Sequence, residues 1–188
     1  MKTIVIASIV VAGVSALAGC GGPDRTPAAA GAAQSKAEPA ADPEKKRLAG
    51  LWSYYNPPTP SAGQRSASIF SMDYVDTDGR VPSRVRLVFR DEASFHGSSY
   101  LVLEGGDFNC YSGCKVQVTL DDGPPRPMAA RRPKTDEAIA MFIDDAFGLW
   151  RATAGAKKVS IEFPVKLGGK RSASFEFAGL DRSKLWGY

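Results

Sequence analysis

Three sets of residues in this 188-residue chain have types and spacing that suggest chemistry: three cysteines, a lone histidine and arginines at alternate positions. Cys110 and Cys114 enclose Tyr111-Ser112-Gly113. Thioredoxin-like redox motifs place two residues between their cysteines, and zinc needs further Cys or His ligands, for which only His96 remains. The expectation is therefore a structural disulfide in an oxidising compartment, with no metal and no cofactor. His96 lies in Ser94-Phe95-His96-Gly97-Ser98-Ser99, with no Gly-x-Ser-x-Gly elbow anywhere in the chain. It reads as a polar loop residue rather than as the base of a triad.

Asp73, Asp76, Asp78 and Gly79 hint at a calcium loop. Aligned on Gly79, however, the first and twelfth ligand positions fall on Tyr74 and Val85, both wrong for an EF-hand. The cluster reads as a turn. The arginines are more informative. Arg84, Arg86 and Arg90 share one face of any strand they form, with Arg80 close by, while Arg126, Arg131, Arg132 and Lys134 make a second cluster. Such guanidinium groups suit an acidic partner protein or an envelope polymer carrying phosphates or carboxylates. Arg84, Arg86, Arg90, Arg131 and Arg132 are the expected partner-binding residues, and no catalytic residue is assigned. The net charge of +4 is too mild for nucleic-acid binding, and no phosphate-binding loop, dinucleotide fingerprint or metalloprotease helix occurs.

The elements that position these residues follow from periodicity. Val85, Leu87 and Phe89 alternate with polar neighbours, as do Val116, Val118 and Leu120; Val159, Ile161 and Phe163; and Phe175 and Phe177. Period two marks half-buried antiparallel strands. Turn signals separate them at Asp76-Thr77-Asp78-Gly79, Gly105-Gly106-Asp107, Asp121 to Pro125, and Gly168-Gly169. One segment differs: Asp144-Asp145 precedes Ala146, Phe147, Leu149, Trp150 and Ala154, with Gly155 after them. Acidic residues first, apolar residues three to four apart and a terminal Gly describe a short helix near residues 144–154. The expected fold is mainly β, an antiparallel β-sandwich (or barrel-like) with that helix.

The amino-terminal segment has a different character. Lys2 is followed by an uncharged run rich in Val, Ile and Ala that ends at Ala18-Gly19. This is the layout of a secretory signal peptide, and the run is short for a membrane span. Leu17-Ala18-Gly19-Cys20 resembles the lipobox of bacterial lipoproteins at every position. The resemblance implies cleavage before Cys20, lipidation of its thiol and acylation of the new amino terminus. Two or more acyl chains anchor stably where one is marginal, at ~0.8 kcal/mol per buried methylene. Gly21 rather than Asp after the cysteine implies sorting to the outer membrane, facing the periplasm, or to the outer leaflet of the cell membrane in a Gram-positive source.

Residues 1–19 are thus expected to be a signal peptide. Residues 20–46 are the lipidated cysteine and an Ala/Pro/Gly tether, whose composition cannot offset chain entropy. Residues 47–188 form one β-sandwich domain. In residues 21–46 four acidic and four basic side chains cancel, so the basicity belongs mainly to the domain. Within that domain, Phe108-Asn109-Cys110, Cys114, Phe142-Ile143, Val159-Ser160-Ile161-Glu162 and Ser174 to Leu180 resemble periplasmic β-sandwich proteins such as the TagO-like accessory proteins of type VI secretion. A Phe-x-x-Ala-Gly arrangement also resembles the invasion-associated locus B family. Both resemblances imply the fold, and neither carries over a catalytic residue. The expected function is a non-enzymatic binding or accessory lipoprotein. Alternatives are an inhibitor or immunity lipoprotein against a periplasmic toxin, an envelope hydrolase using dispersed carboxylates or His96, and a structural envelope protein.

Overall fold

The computed structural model describes residues 42–56, 63–92, 97–133 and 139–185. Cys20, His96 and Lys134 lie outside the described residues. After a short helix α1 (Pro43–Ala49) come the strands β1 (Trp52–Tyr55), β2 (Gln64–Val75), β3 (Ser83–Glu92), β4 (Ser98–Val102), β5 (Cys114–Leu120), β6 (Arg126–Arg131) and β7 (Ala140–Ile143). Helix α2 (Ala146–Ala152) then leads to β8 (Lys158–Pro164), β9 (Lys170–Glu176) and a 3₁₀ turn at Arg182–Lys184. All strand pairs are antiparallel in one sheet ordered β1-β2-β3-β4-β7-β6-β5-β8-β9. The expected mainly-β, sandwich-like class is what the chain adopts.

The alternating residues read from the sequence are the core. Val85, Leu87 and Phe89 are buried on β3, Val116 and Val118 on β5, Val159, Ile161 and Phe163 on β8, and Ala173 and Phe175 on β9. The sheet curls so that its two halves share this core. Trp52 on β1 packs edge-on against Phe177 just beyond β9, and Phe89 packs against Trp150 of α2. Past an irregularity in register between Phe70 and Tyr74, the end of β2 reaches β9. There the Ser174 amide donates to Asp73 Oδ2 at 3.1 Å and Arg171 Nε donates to the carbonyl of Asp76. Buried Ser71 bridges the irregularity: its hydroxyl donates to the Asp73 carbonyl and accepts from the Val85 amide. That hydroxyl satisfies a ladder donor which a bulge would leave orphaned.

The start of the expected helical segment and one expected hairpin turn are explained by local chemistry. The Asp145 side chain caps α2 by accepting from the Gly148 amide at 2.7 Å. Gly168 and Gly169, both at positive φ, make the β8–β9 turn. Helix α1 spans the place where the sequence changes character. Asp42 caps it, Pro43 opens it, and its carboxyl end sits on Gly179. A Cβ at Gly179 would lie 2.1 Å from the Leu48 carbonyl oxygen, so only glycine admits this packing.

Candidate functional site

Strand β3 determines the site. With Val85, Leu87 and Phe89 pointing inward, period two turns Arg84, Arg86 and Arg90 outward. Register then sets their neighbours. Tyr74 lies directly across from Arg84 and Phe70 across from Arg86 on β2, while Ser98 faces Arg90 on β4. Each guanidinium covers an aromatic ring: Arg84 over Tyr74 at 5.2 Å, Arg86 over Phe70 at 5.9 Å, and Arg90 over Tyr100 at 5.6 Å. Arg90 Nε also donates to Ser98 Oγ at 3.1 Å. The rings hold these planar cations by cation–π attraction, which restricts the rotamers of an otherwise flexible side chain.

The band continues across the sheet. Tyr100 stacks on Phe142 of β7 at 4.9 Å, and Phe142 pairs in register with Arg131 of β6. Arg131 is exposed and forms an ion pair with Asp144 at 2.8 Å. Four of the five arginines expected to bind a partner therefore share one outer face. Among the described residues no carboxylate stands within ion-pair distance of Arg84 or Arg86.

Arg132 is a correction. It follows Arg131 on the strand's alternate side and is buried. Its Nε donates to Asp107 Oδ1 at 2.8 Å and its backbone amide donates to the Cys110 carbonyl at 2.9 Å. Adjacent residues on a strand point to opposite faces, so a basic pair in sequence becomes one surface cation and one internal strut. Asp107 also accepts from Tyr111 Oη at 2.5 Å and from the Phe108 amide, with Lys166 Nζ 3.7 Å away. Burial alone would raise the pKa of Asp107. The hydrogen bonds from Arg132, Tyr111 and Phe108 and the guanidinium charge outweigh it and hold the carboxyl below its ordinary value. Tyr111 lies within the loop closed by the disulfide between Cys110 and Cys114, whose Cα atoms are 5.2 Å apart.

The aspartates of the β2–β3 turn are engaged by backbone. Asp76 Oδ1 accepts from the Gly79 amide and Asp78 Oδ1 from the Arg80 amide, which is the chemistry of a turn. What sequence reasoning missed is the apolar company of the arginines. Phe70, Met72, Tyr74 and Val81 are all exposed, Val81 at 84%. With Pro82, Ser83, Arg84, Glu104 and Gly105, three of them line an open groove of about 560 Å³ at the β2–β3 end of the face. The missing signal was β2 itself, whose core position Ser71 interrupts the apolar alternation. No protein-family model, curated protein or solved structure matches the chain.

Proposed function

We propose that this chain is an exported lipoprotein, anchored through Cys20 and facing the periplasm, that acts as a binding or accessory module rather than as an enzyme. The binding surface is the outer face of β3 and its neighbours. The observation that carries this reading is the ladder of Arg84, Arg86 and Arg90, each held over a ring and turned to the exterior. Oriented, exposed guanidinium groups bordered by apolar side chains are the composition of protein-binding surfaces, where aromatic residues and arginine are enriched. The lipobox-like Leu17-Ala18-Gly19-Cys20 supports the anchor.

Two experiments separate the halves of this reading. Metabolic labelling with an alkynyl fatty acid followed by fractionation tests the anchor. The wild-type chain should carry label and sediment with membranes, and Cys20→Ser should lose both. Unchanged membrane partition of the Cys20→Ser chain would end the lipoprotein reading. For the surface, a photo-reactive residue at Tyr74 should yield a cross-linked adduct in cells that Arg84→Ala/Arg86→Ala abolishes. An adduct from Ser172 on β9 instead, with none from Tyr74, would reject this face.

A further inference from the structure

The groove beside Arg84 identifies the partner's chemistry more closely than charge alone, on the premise that the arginine face binds. The guanidinium groups of Arg84 and Arg86 lie over the rings of Tyr74 and Phe70, both of which stay exposed to solvent. These rings hold two planar donors, at positions two residues apart on one strand, for carboxylates. Two residues of extended chain span roughly 6.6 Å. That is also the spacing of carboxylates at alternate positions of an extended peptide.

Apolar and acidic features narrow the choice further. Phe70, Tyr74, Val81 and Pro82 offer apolar wall to a side chain, within the volume range of small-ligand sites. Glu104 lines the same groove, and the Asp78 carboxylate sits beside Gly105 at its rim. A sheet of anionic lipid headgroups would meet Glu104 and Asp78 together with the arginines. A peptide can place its carboxylates only where the arginines are. Charge complementarity at this site is therefore local, which selects a sequence rather than a charged surface.

We propose that the groove of Phe70, Tyr74, Val81 and Pro82 binds an extended acidic segment of a partner protein, with carboxylates two residues apart on Arg84 and Arg86 and an apolar side chain in the groove. Random peptides displayed on phage and selected on the full chain test it. Enriched peptides should carry Asp or Glu at alternate positions next to an aliphatic or aromatic residue. A synthetic copy of the best peptide, followed by fluorescence anisotropy, should bind about tenfold or more weakly to Arg84→Ala and to Arg86→Ala, the scale of one lost charge-assisted hydrogen bond. Arg84→Lys/Arg86→Lys should recover only part of that loss, because a lysine lacks the planar fork.

Enrichment without acidic residues would overturn the proposal, as would binding unaffected by both arginine substitutions. Vesicles of phosphatidylglycerol and phosphatidylethanolamine provide the contrasting probe. Arginine-dependent vesicle binding with no acidic peptide selected would reject the peptide and leave the face as a binding surface. No arginine dependence with either probe would reject the face as well.

Discussion

Arg132 Nε meets Asp107 Oδ1 at 2.8 Å inside the domain, one residue away from Arg131, which is exposed at the surface. The contact ties the end of β6 to the loop between β4 and β5. Tyr111 and Lys166 complete a cluster around the same carboxylate, and both cations lie near the Tyr111 ring, at 5.5 and 5.3 Å.

Removing Asp107 takes away the carboxylate that Arg132 Nε meets inside the domain. Asp107→Ala should lower unfolding free energy by about 1–3 kcal/mol, the scale of a lost charge-assisted hydrogen bond at a buried group. Asp107→Asn keeps the shape and should cost less. The pH dependence has a definite sign. The folded-state pKa is held below the usual 3.8, so the unfolded chain takes up the proton first as pH falls. The stabilisation is complete above that ordinary value and disappears as pH drops through the depressed one. Denaturant titrations of wild type and Asp107→Asn should therefore converge in acid. A stability gap that stays constant from neutral pH down to strong acid would contradict the assignment.

The disulfide and this cluster fasten the same loop. Cys110→Ala/Cys114→Ala should cost about 2 kcal/mol by the chain-entropy estimate for so short a loop. Combined with Asp107→Ala, the losses should fall short of their sum, since either constraint partly orders the segment for the other. A double-mutant cycle by urea unfolding measures this, and strict additivity would mean the two act independently.

Much of the sheet was legible in the sequence wherever core positions are uniformly apolar, as on β3, β5, β8 and β9. Strands β2 and β4 were hidden by serines: Ser71 and Ser99 are both fully buried at core positions, and each makes a hydrogen bond that no local pattern announces. Strand β6, Arg-Pro-Met-Ala-Ala-Arg, has the composition of a loop and becomes a strand through its neighbours β5 and β7. For the site, alternation alone put Arg84, Arg86 and Arg90 together. Their ring partners Phe70, Tyr74 and Tyr100 depend on register between strands, which single-strand periodicity does not encode. The same limit misplaced Arg132, because a cluster in sequence carries no information about sides until the strand is located.

Helix α1 offers a sharp steric test. Seven residues are too few to hold a helix in isolation, so its order depends on docking against Gly179. Gly179→Ala places a methyl into the Leu48 carbonyl and the following amide nitrogen, which are backbone atoms with little freedom. Expected consequences are a stability loss of about 1–3 kcal/mol and release of residues 43–49 from the domain. Hydrogen exchange at Lys46 and Gly50, whose amides bond to Asp42 and Lys46 carbonyls, should rise sharply relative to β3. Protection unchanged at those two amides would show that α1 is held by something else.

The last turn of α2 rests on Arg182. Its guanidinium lies 3.8 Å over the Trp150 ring and donates to the Trp150 carbonyl and to Thr153 Oγ1. The carbonyl, which also accepts from Thr153 Oγ1, lies at a helix end, where a cation is favoured by the helix dipole. Burial pulls the Arg182 pKa below its usual value, yet a guanidinium stays charged throughout the accessible pH range. Arg182→Ala should therefore cost about 2 kcal/mol at any pH between mild acid and mild base, shared between the cap and the cation–π contact. Repeating the substitution in a Trp150→Leu background removes the ring while keeping the carbonyl. There the cost of Arg182→Ala should drop by roughly 1 kcal/mol and the remainder should persist as the capping share. Equal costs in both backgrounds would assign the whole effect to the cap, and a vanishing cost in Trp150→Leu would assign it to the ring.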